Sequence, residues 1–331
     1  DIPGLLRRTS DGQLMANPGH MPFLEDVDSL PSPAYDLIDV KAYWRLLSHA
    51  QVPPRPYMAI HSSRGCPFQC IYCHRVFGKK VRAQSPERIA AEMEHYARQY
   101  NVREIEFLDD TFNHRPDHVS AFAELVQRRN LHTRLSFPNG LRGDLLTEET
   151  VDALVAAGTY YTSLALESGS PRIQQLIGKR LNIPRFLEGI DLLVKRQIFT
   201  NGFTMLGFPT ETLEEMGLTV DTACRSRLHT ATFFTVTPYP NTELYEWAQQ
   251  THPERLIRLD YQNMDYTNVR VNLSDVPDEV LYAIQRQAWR QFYFNPARAA
   301  RIVRAYPHPL YLMRFIPMFS LRLAKGLMGT G

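Results

Sequence analysis

The sequence lacks any apolar run of the roughly 18 residues that a membrane-crossing helix needs. Its first residues, Asp1-Ile2-Pro3-Gly4-Leu5-Leu6-Arg7-Arg8, lack the basic and apolar regions of a secretory signal, and no Met starts them. The expectation is a trimmed chain or a piece of something longer. Neither charge is in excess: 37 Lys and Arg stand against 35 Asp and Glu, a net +2 that argues against a general nucleic-acid or membrane-surface binder. Cysteine is scarce. Four in 331 residues rule out a disulfide framework, and three of them crowd into one short stretch, which points to a metal site in a reducing, cytoplasmic compartment. Carboxylates are missing after Glu279, where Arg286, Arg290, Arg298, Arg301, Arg304, Arg314, Arg322 and Lys325 all lie.

What is present is a globular chain, 44% hydrophobic and long enough for one large domain or two ordinary ones. Residues 1–55 carry Pro31-Ser32-Pro33 and Pro53-Pro54-Arg55-Pro56 and little periodicity, as a linker or docking segment would. From Tyr57 on, β-prone runs alternate with amphipathic helical patterns, which predicts six βα units and a parallel sheet. Strands are expected over 57–62, 104–108, 134–138, 160–167, 199–208 and 230–237. Between them, Ser85 reads as an N-cap before Pro86, Thr147 as another, and Thr210 with Glu211 as the opening of a helix that contains Cys224 in its middle. Such units build either a doubly wound sheet or a partial barrel, and both place ligands at the C-terminal ends of the strands.

Cys66-Pro67-Phe68-Gln69-Cys70-Ile71-Tyr72-Cys73 sets three soft thiolates on one loop, suited to three corners of an iron–sulfur cluster or three positions on zinc. A closed zinc site would need Cys224 or His74 as its fourth ligand. A cluster can leave one iron free for an exchangeable ligand. Cys224 also reads as a small core residue. His61, His95, His114 and His118 show no metal spacing and read as structural or exposed.

A Cys-x3-Cys-x2-Cys loop directly after a first strand, with Tyr72 before the last cysteine, resembles the radical S-adenosylmethionine superfamily. The resemblance implies an α/β fold: a partial (βα)6 barrel over 56–250, with 1–55 as linker and 251–331 as a mostly helical, basic extension. It implies a 4Fe–4S cluster on Cys66, Cys70 and Cys73, whose free iron is chelated by S-adenosylmethionine. Reductive cleavage then gives methionine and a 5'-deoxyadenosyl radical, with electrons from an external donor such as flavodoxin or ferredoxin.

Over 57–245 the chain is similar to the branch that also carries a cobalamin-binding domain and includes the anaerobic magnesium-protoporphyrin ester cyclase. The segments are Phe107-Leu108-Asp109-Asp110-Thr111-Phe112, Leu166-Glu167-Ser168-Gly169-Ser170, Leu206-Gly207-Phe208-Pro209-Thr210-Glu211-Thr212 and Thr237-Pro238-Tyr239-Pro240-Asn241-Thr242-Glu243-Leu244-Tyr245. Asn241 replaces the branch's usual Gly, and a turn with positive φ tolerates it. The superfamily often has Gly-Gly-Glu where this chain has Asp109-Asp110-Thr111. Asp109 and Asp110 are therefore expected to accept from the ammonium group of S-adenosylmethionine, and Glu167 with Ser168 to bind ribose or the amino-acid end. Both pairs also read as helix caps. Tyr72 is a candidate to pack on adenine, Asn139 and Arg142 to reach the carboxylate, and Gly207 with Pro209 to admit adenine close to the backbone.

In that branch a cobalamin domain precedes a segment resembling the start of this chain, so the expectation is cobalamin use through a domain outside it. Cobalamin-dependent methyl transfer or oxidative cyclisation of a small, hydrophobic substrate follows from the resemblance. Methylthiolation of tRNA is the alternative among enzymes, without a basic RNA-holding domain after Tyr245, so no nucleic-acid partner is expected. A zinc-bearing interaction module is the alternative outside enzymes. The apolar and basic stretch 310–323 either packs on the barrel or rests on a membrane surface.

Overall fold

A computed structural model describes residues 2–315 apart from 20, 21, 51, 258, 260 and 262–270. Its main sheet has six strands: β1 (Met58–Ile60), β2 (Glu104–Phe107), β3 (Arg134–Leu141), β4 (Thr159–Glu167), β5 (Phe199–Leu206) and β6 (Thr230–Thr235). They run β6-β5-β4-β3-β2-β1, and every pairing is parallel. This order decides between the two expected architectures. When each strand lies beside its predecessor, right-handed crossovers put every helix on one face, and the sheet curls into a barrel. A doubly wound sheet reverses its order partway and carries helices on both faces. Among the described residues β1 and β6 do not pair, so the barrel is open.

The outer helices are α1 (Pro86–Tyr100), α2 (Pro116–Arg128), α3 (Glu148–Ala156), α4 (Ile183–Lys195) and α5 (Leu213–Arg225). Ser85 caps α1 with its side chain and Pro86 supplies a preset φ; Ile89, Met93 and Tyr96 bury one face, and Asn101 ends the helix at φ 54°. Thr147 caps α3 as expected. α5 opens two residues later than expected, because Thr212 and Glu215 form the capping box. Cys224 is the penultimate residue of α5 rather than a mid-helix one.

Alternation along the strands sorts the side chains. Ile105, Phe107, Leu135, Phe137, Leu164 and Leu166 face the helices and join Ile89, Met93, Phe122 and Phe186 in the largest core. Phe107 and Phe137 stack at 5.1 Å there, and replacing such a ring with Ala costs about 3–5 kcal/mol. The opposite set, including Glu104, Glu106, Ser136, Ser163 and Asn201, lines the interior. At its N-terminal end Arg55 donates to Glu106 (2.8 Å) and Tyr160 (3.1 Å) and pairs with Glu104, while Tyr161, Phe199 and Tyr306 close the floor.

β3 runs to Leu141, three residues past its expected end, so Asn139 lies within the strand. Pro138 has no N–H to give and Gly140 sits at φ +112°, so the pairing skips from Phe137 to Leu141. β5 and β6 end earlier than expected, at Leu206 and Thr235.

The first segment holds an antiparallel hairpin of Leu6–Arg8 with Leu14–Ala16. Asp28 then accepts from Ser85 N (2.9 Å) and Trp44 Nε1 donates to Tyr57 O (2.8 Å), which ties the segment to the barrel beside β1. After β6 come α6 (Glu243–Thr251), α7 (Asp278–Tyr293), α8 (Pro296–Ala305) and a 3-10 turn, Pro309–Phe315. Residues 316–323 of the apolar and basic tail lie outside the described residues. No described helix is long and apolar enough to cross a membrane.

Candidate active site

The cysteine loop leaves the C-terminal end of β1 and is pinned on every side. Ser63–Arg64 pairs with Arg82–Ala83 across its base, and Lys79 Nζ donates to Phe68 O at 2.6 Å. Ile71 donates to Ile177 O and accepts from Leu244 N, both at 3.0 Å. The loop also presses on Gly178, where a Cβ would lie 2.3 Å from Gln69 O and φ is +68°. Only glycine fits this contact.

Asp109, at the end of β2, fixes the start of the loop. Its buried carboxylate accepts from Ser62 Oγ at 3.0 Å, Ser63 Oγ at 2.6 Å and Ser63 N. Burial raises its pKa and the Ser63 bond opposes that rise. Asn139 donates to Asp109 O at 2.9 Å, joining β3 to the same corner. Asp109 and Asn139 thus bond the protein's own backbone and hydroxyls, where a ligand contact had been expected. Asp110 is the freer of the two acids, with His74 Nε2 3.7 Å from its Oδ1.

The thiols themselves crowd together. Burial pushes Cys73 up to about 11, and the neighbouring Cys70, Cys66 and Asp110 add to the rise. Thiolates so placed repel until a cationic centre shares them, which is the chemistry of a metal-binding donor set. Cys66 Sγ also lies 3.3 Å from Thr111 Oγ1. Among the described residues, no three His, Cys, Asp or Glu side chains form a ready chelate for a single ion. A 4Fe–4S cluster asks for one cysteine per iron rather than convergence on one atom, so the loop fits that group.

Across the mouth, Glu167 ends β4 at φ 62°, an uncommon backbone conformation for a residue with a side chain. It accepts from Tyr72 in the cysteine loop at 3.3 Å and from Lys179 Nζ at 3.2 Å. Burial, with the Glu167 charge, keeps the Tyr72 hydroxyl protonated. The ring of Tyr72 packs on Phe208 at 5.8 Å. Ser168 is buried, with Ser170 N donating to its Oγ at 3.1 Å, and so belongs to the cap of the short helix Pro171–Leu176.

Arg142 forks onto Asp144 (2.7 and 3.3 Å), donates to Lys179 O (2.9 Å) and lies 3.9 Å over the ring of Phe68. Its guanidinium braces the loop, and its charge is already matched. Gly207, at φ +91°, turns the chain toward α7: a Cβ there would meet Leu281 at 3.1 Å, and its carbonyl accepts from Leu273 N at 3.2 Å. Pro209 is buried beside it. Asn241 has the expected positive φ, 66°.

Residues 60–223, from the end of β1 into α5, match the Radical SAM superfamily. This span is a radical S-adenosylmethionine domain. The chain is 29% identical over 277 residues to an uncharacterized methyltransferase of Pyrococcus horikoshii, a match covering 83% of this chain and 58% of that protein. It is 25% identical over 292 residues to the anaerobic magnesium-protoporphyrin IX monomethyl ester cyclase of Cereibacter sphaeroides, covering 87% and 46%. The chain therefore spans about half the length of these relatives. The fold is that of the cobalamin-dependent S-adenosylmethionine radical enzyme OxsB, whose structure holds aqua-cobalamin and S-adenosylmethionine. It superposes with a TM-score of 0.66 at 13% identity over 98% of this chain and 52% of OxsB. A radical S-adenosylmethionine domain works with a 4Fe–4S cluster and S-adenosylmethionine, as the sequence implied.

Three residues of the site had not been singled out. Thr111 and Lys179 touch it directly, and Glu211 accepts from Gly207 N (2.7 Å) and Phe208 N (3.1 Å) beneath it. A basic residue just beyond a helix end, after the loop that carries Glu167, was the available signal for Lys179.

Proposed function

We propose that Cys66, Cys70 and Cys73 each ligate one iron of a 4Fe–4S cluster, and that the loop's contacts with β2 and β4 form the binding site for S-adenosylmethionine. When bound, the cluster supplies the electron that cleaves S-adenosylmethionine to methionine and a 5'-deoxyadenosyl radical. The observation that carries this reading is that one loop presents three crowded thiols at the strands' C-terminal ends while its Tyr72 reaches Glu167 on the far side of the mouth.

The chain's residues then divide the work. Thr111, whose hydroxyl donates to Asp110 O (2.6 Å), packs its oxygen against Cys66 Sγ (3.3 Å) and ties that cysteine to the segment after β2. Asp110 accepts from the ammonium group, and Glu167 from the ribose hydroxyls. Lys179 neutralises Glu167. Gly207, Phe208 and Pro209 follow β5 as an apolar corner suited to adenine. Asp109, Asn139, Arg142 and Ser168 position these groups from behind. The polar interior below them receives a substrate carbon within reach of the radical and away from bulk water.

For the whole protein we infer hydrogen abstraction from a small, hydrophobic substrate, followed by cobalamin-dependent methyl transfer or oxidative cyclisation. The relatives support both outcomes, since one is named a methyltransferase and the other a cyclase. The cobalamin would sit on a domain outside this chain, and a flavodoxin- or ferredoxin-type donor in the cytoplasm would supply electrons. Anaerobic reconstitution followed by iron, sulfide and zinc analysis tests the cluster: about four irons per chain agree, and one zinc without sulfide contradicts it. Full-length protein that shows no corrinoid absorbance after reconstitution would sink the cobalamin part.

A further inference from the structure

The parallel strands give the barrel two ends, and the thiols occupy the C-terminal one. At the other end, just before β6, the chain runs Ser226-Arg227-Leu228-His229. α8 lies against this turn, because Arg298 donates to Cys224 O (2.7 Å), Ser226 O (3.2 Å) and Leu228 O. Those carbonyls flank Arg227 on both sides. Arg301 follows Arg298 by one helical turn on the same face of α8.

The Arg298 bonds therefore bring α8, with Arg301 on it, against the turn that carries Arg227. Arg298 is matched by carbonyl dipoles and by the ring of Phe292, 3.6 Å away. Arg227 and Arg301 have neither a hydrogen bond nor an ion pair among the described residues, and Arg301 Nε is buried without a partner. The local electrostatics carry the same sign. Burial and then Arg227 lower the pKa of Arg301, while burial followed by Arg301, Arg298 and Arg227 pushes His229 down to about 4. No carboxylate stands among these influences, and the sequence carries none after Glu279. Arg227 is exposed and Arg301 half-buried, so a ligand from solvent can reach both, and the buried Arg301 Nε is a donor left without an acceptor.

We propose that Arg227 and Arg301, with Arg298 behind them, form a binding site for a phosphate group, remote from the radical chemistry. A tetrahedral oxyanion accepts bidentate N–H bonds from guanidinium forks and removes the repulsion between them. The phosphate comes from a free phosphate compound or from the headgroup of an anionic lipid. Val303, Leu310 and Met313, all exposed on the same C-terminal extension, make the lipid source chemically reasonable.

The test compares the parent chain with Arg301→Gln and Arg227→Gln. Thermal unfolding is followed in inorganic phosphate and in sodium chloride of equal ionic strength, and sedimentation with phosphatidylcholine vesicles is measured with and without phosphatidylglycerol. Phosphate should raise the Tm of the parent, and its apparent affinity should fall at least about tenfold in each variant, the loss expected when a charge-assisted bond is removed. Without phosphate the variants should be as stable as the parent or more so, since one repelling charge is gone. Binding to phosphatidylglycerol vesicles that free phosphate competes away, and that Arg301→Gln loses, identifies the lipid source. A phosphate effect without vesicle binding identifies a soluble one. If phosphate shifts parent and variants alike, or shifts none and no vesicle binding appears, the site does not exist.

Discussion

Lys179 Nζ stands 3.2 Å from Glu167 Oε1, with both side chains nearly buried and the glutamate held at φ 62°. The pair joins the end of β4 to the turn after the short helix that supports the cysteine loop. Tyr72 completes it from the loop itself. The cysteine loop and the carboxylate proposed for the ribose thus share one set of hydrogen bonds.

Removing one partner of such a pair leaves an uncompensated buried charge. Lys179→Met is expected to cost about 3 kcal/mol in chemical denaturation and to weaken S-adenosylmethionine binding. Tyr72→Phe, which removes only the hydroxyl bond to Glu167, should cost about 1 kcal/mol and leave iron content intact. If Lys179→Met matches the parent in stability, the pair is not the brace described here.

Asp109 and Asp110 are neighbours with different work. Asp109→Ala leaves the Ser62 and Ser63 donors without their acceptor, a cost of about 1–3 kcal/mol, and should lower the iron bound after reconstitution. Asp110→Asn should keep iron at the parent level and raise the KM for S-adenosylmethionine. Iron analysis beside substrate titration separates the two, and the reverse pattern would exchange their roles.

Much of this was legible from the residues alone, and the failures are physical. Six βα units could be followed because outward strand residues such as Ile105 and Phe107 and helix faces such as Ile89, Met93 and Tyr96 keep their periods. Strand order cannot be read from periodicity, and the pairings supplied it. β3 looked shorter because Pro138-Asn139-Gly140 carries turn chemistry, whereas the structure accommodates it as an irregularity and pairs again at Leu141. The cysteines stood out by spacing. Lys179 was not singled out, and the protein partners of Asp109 and Arg142 were not legible, since whether an ionisable side chain faces a ligand or a neighbour is a tertiary fact.

Glu211 offers a test in pH. Burial pushes its carboxyl up to about 7, against the lowering effect of the Gly207 and Phe208 N–H groups. A folded-state value above the unfolded one means that the proton favours the fold. Its contribution is therefore fully present below about pH 4.5 and is lost as pH rises through about 7, amounting to about 3 kcal/mol. Stability of the parent relative to Glu211→Gln should fall by that amount between pH 4 and pH 8, measured by urea unfolding. Parallel curves would show that Glu211 titrates normally.

Radical formation is read out by anaerobic reconstitution with iron and sulfide, reduction in the presence of S-adenosylmethionine, and assay for 5'-deoxyadenosine in the parent and in Cys70→Ala. The parent should form 5'-deoxyadenosine and the variant none. A parent protein that binds zinc and forms no 5'-deoxyadenosine would contradict the radical reading.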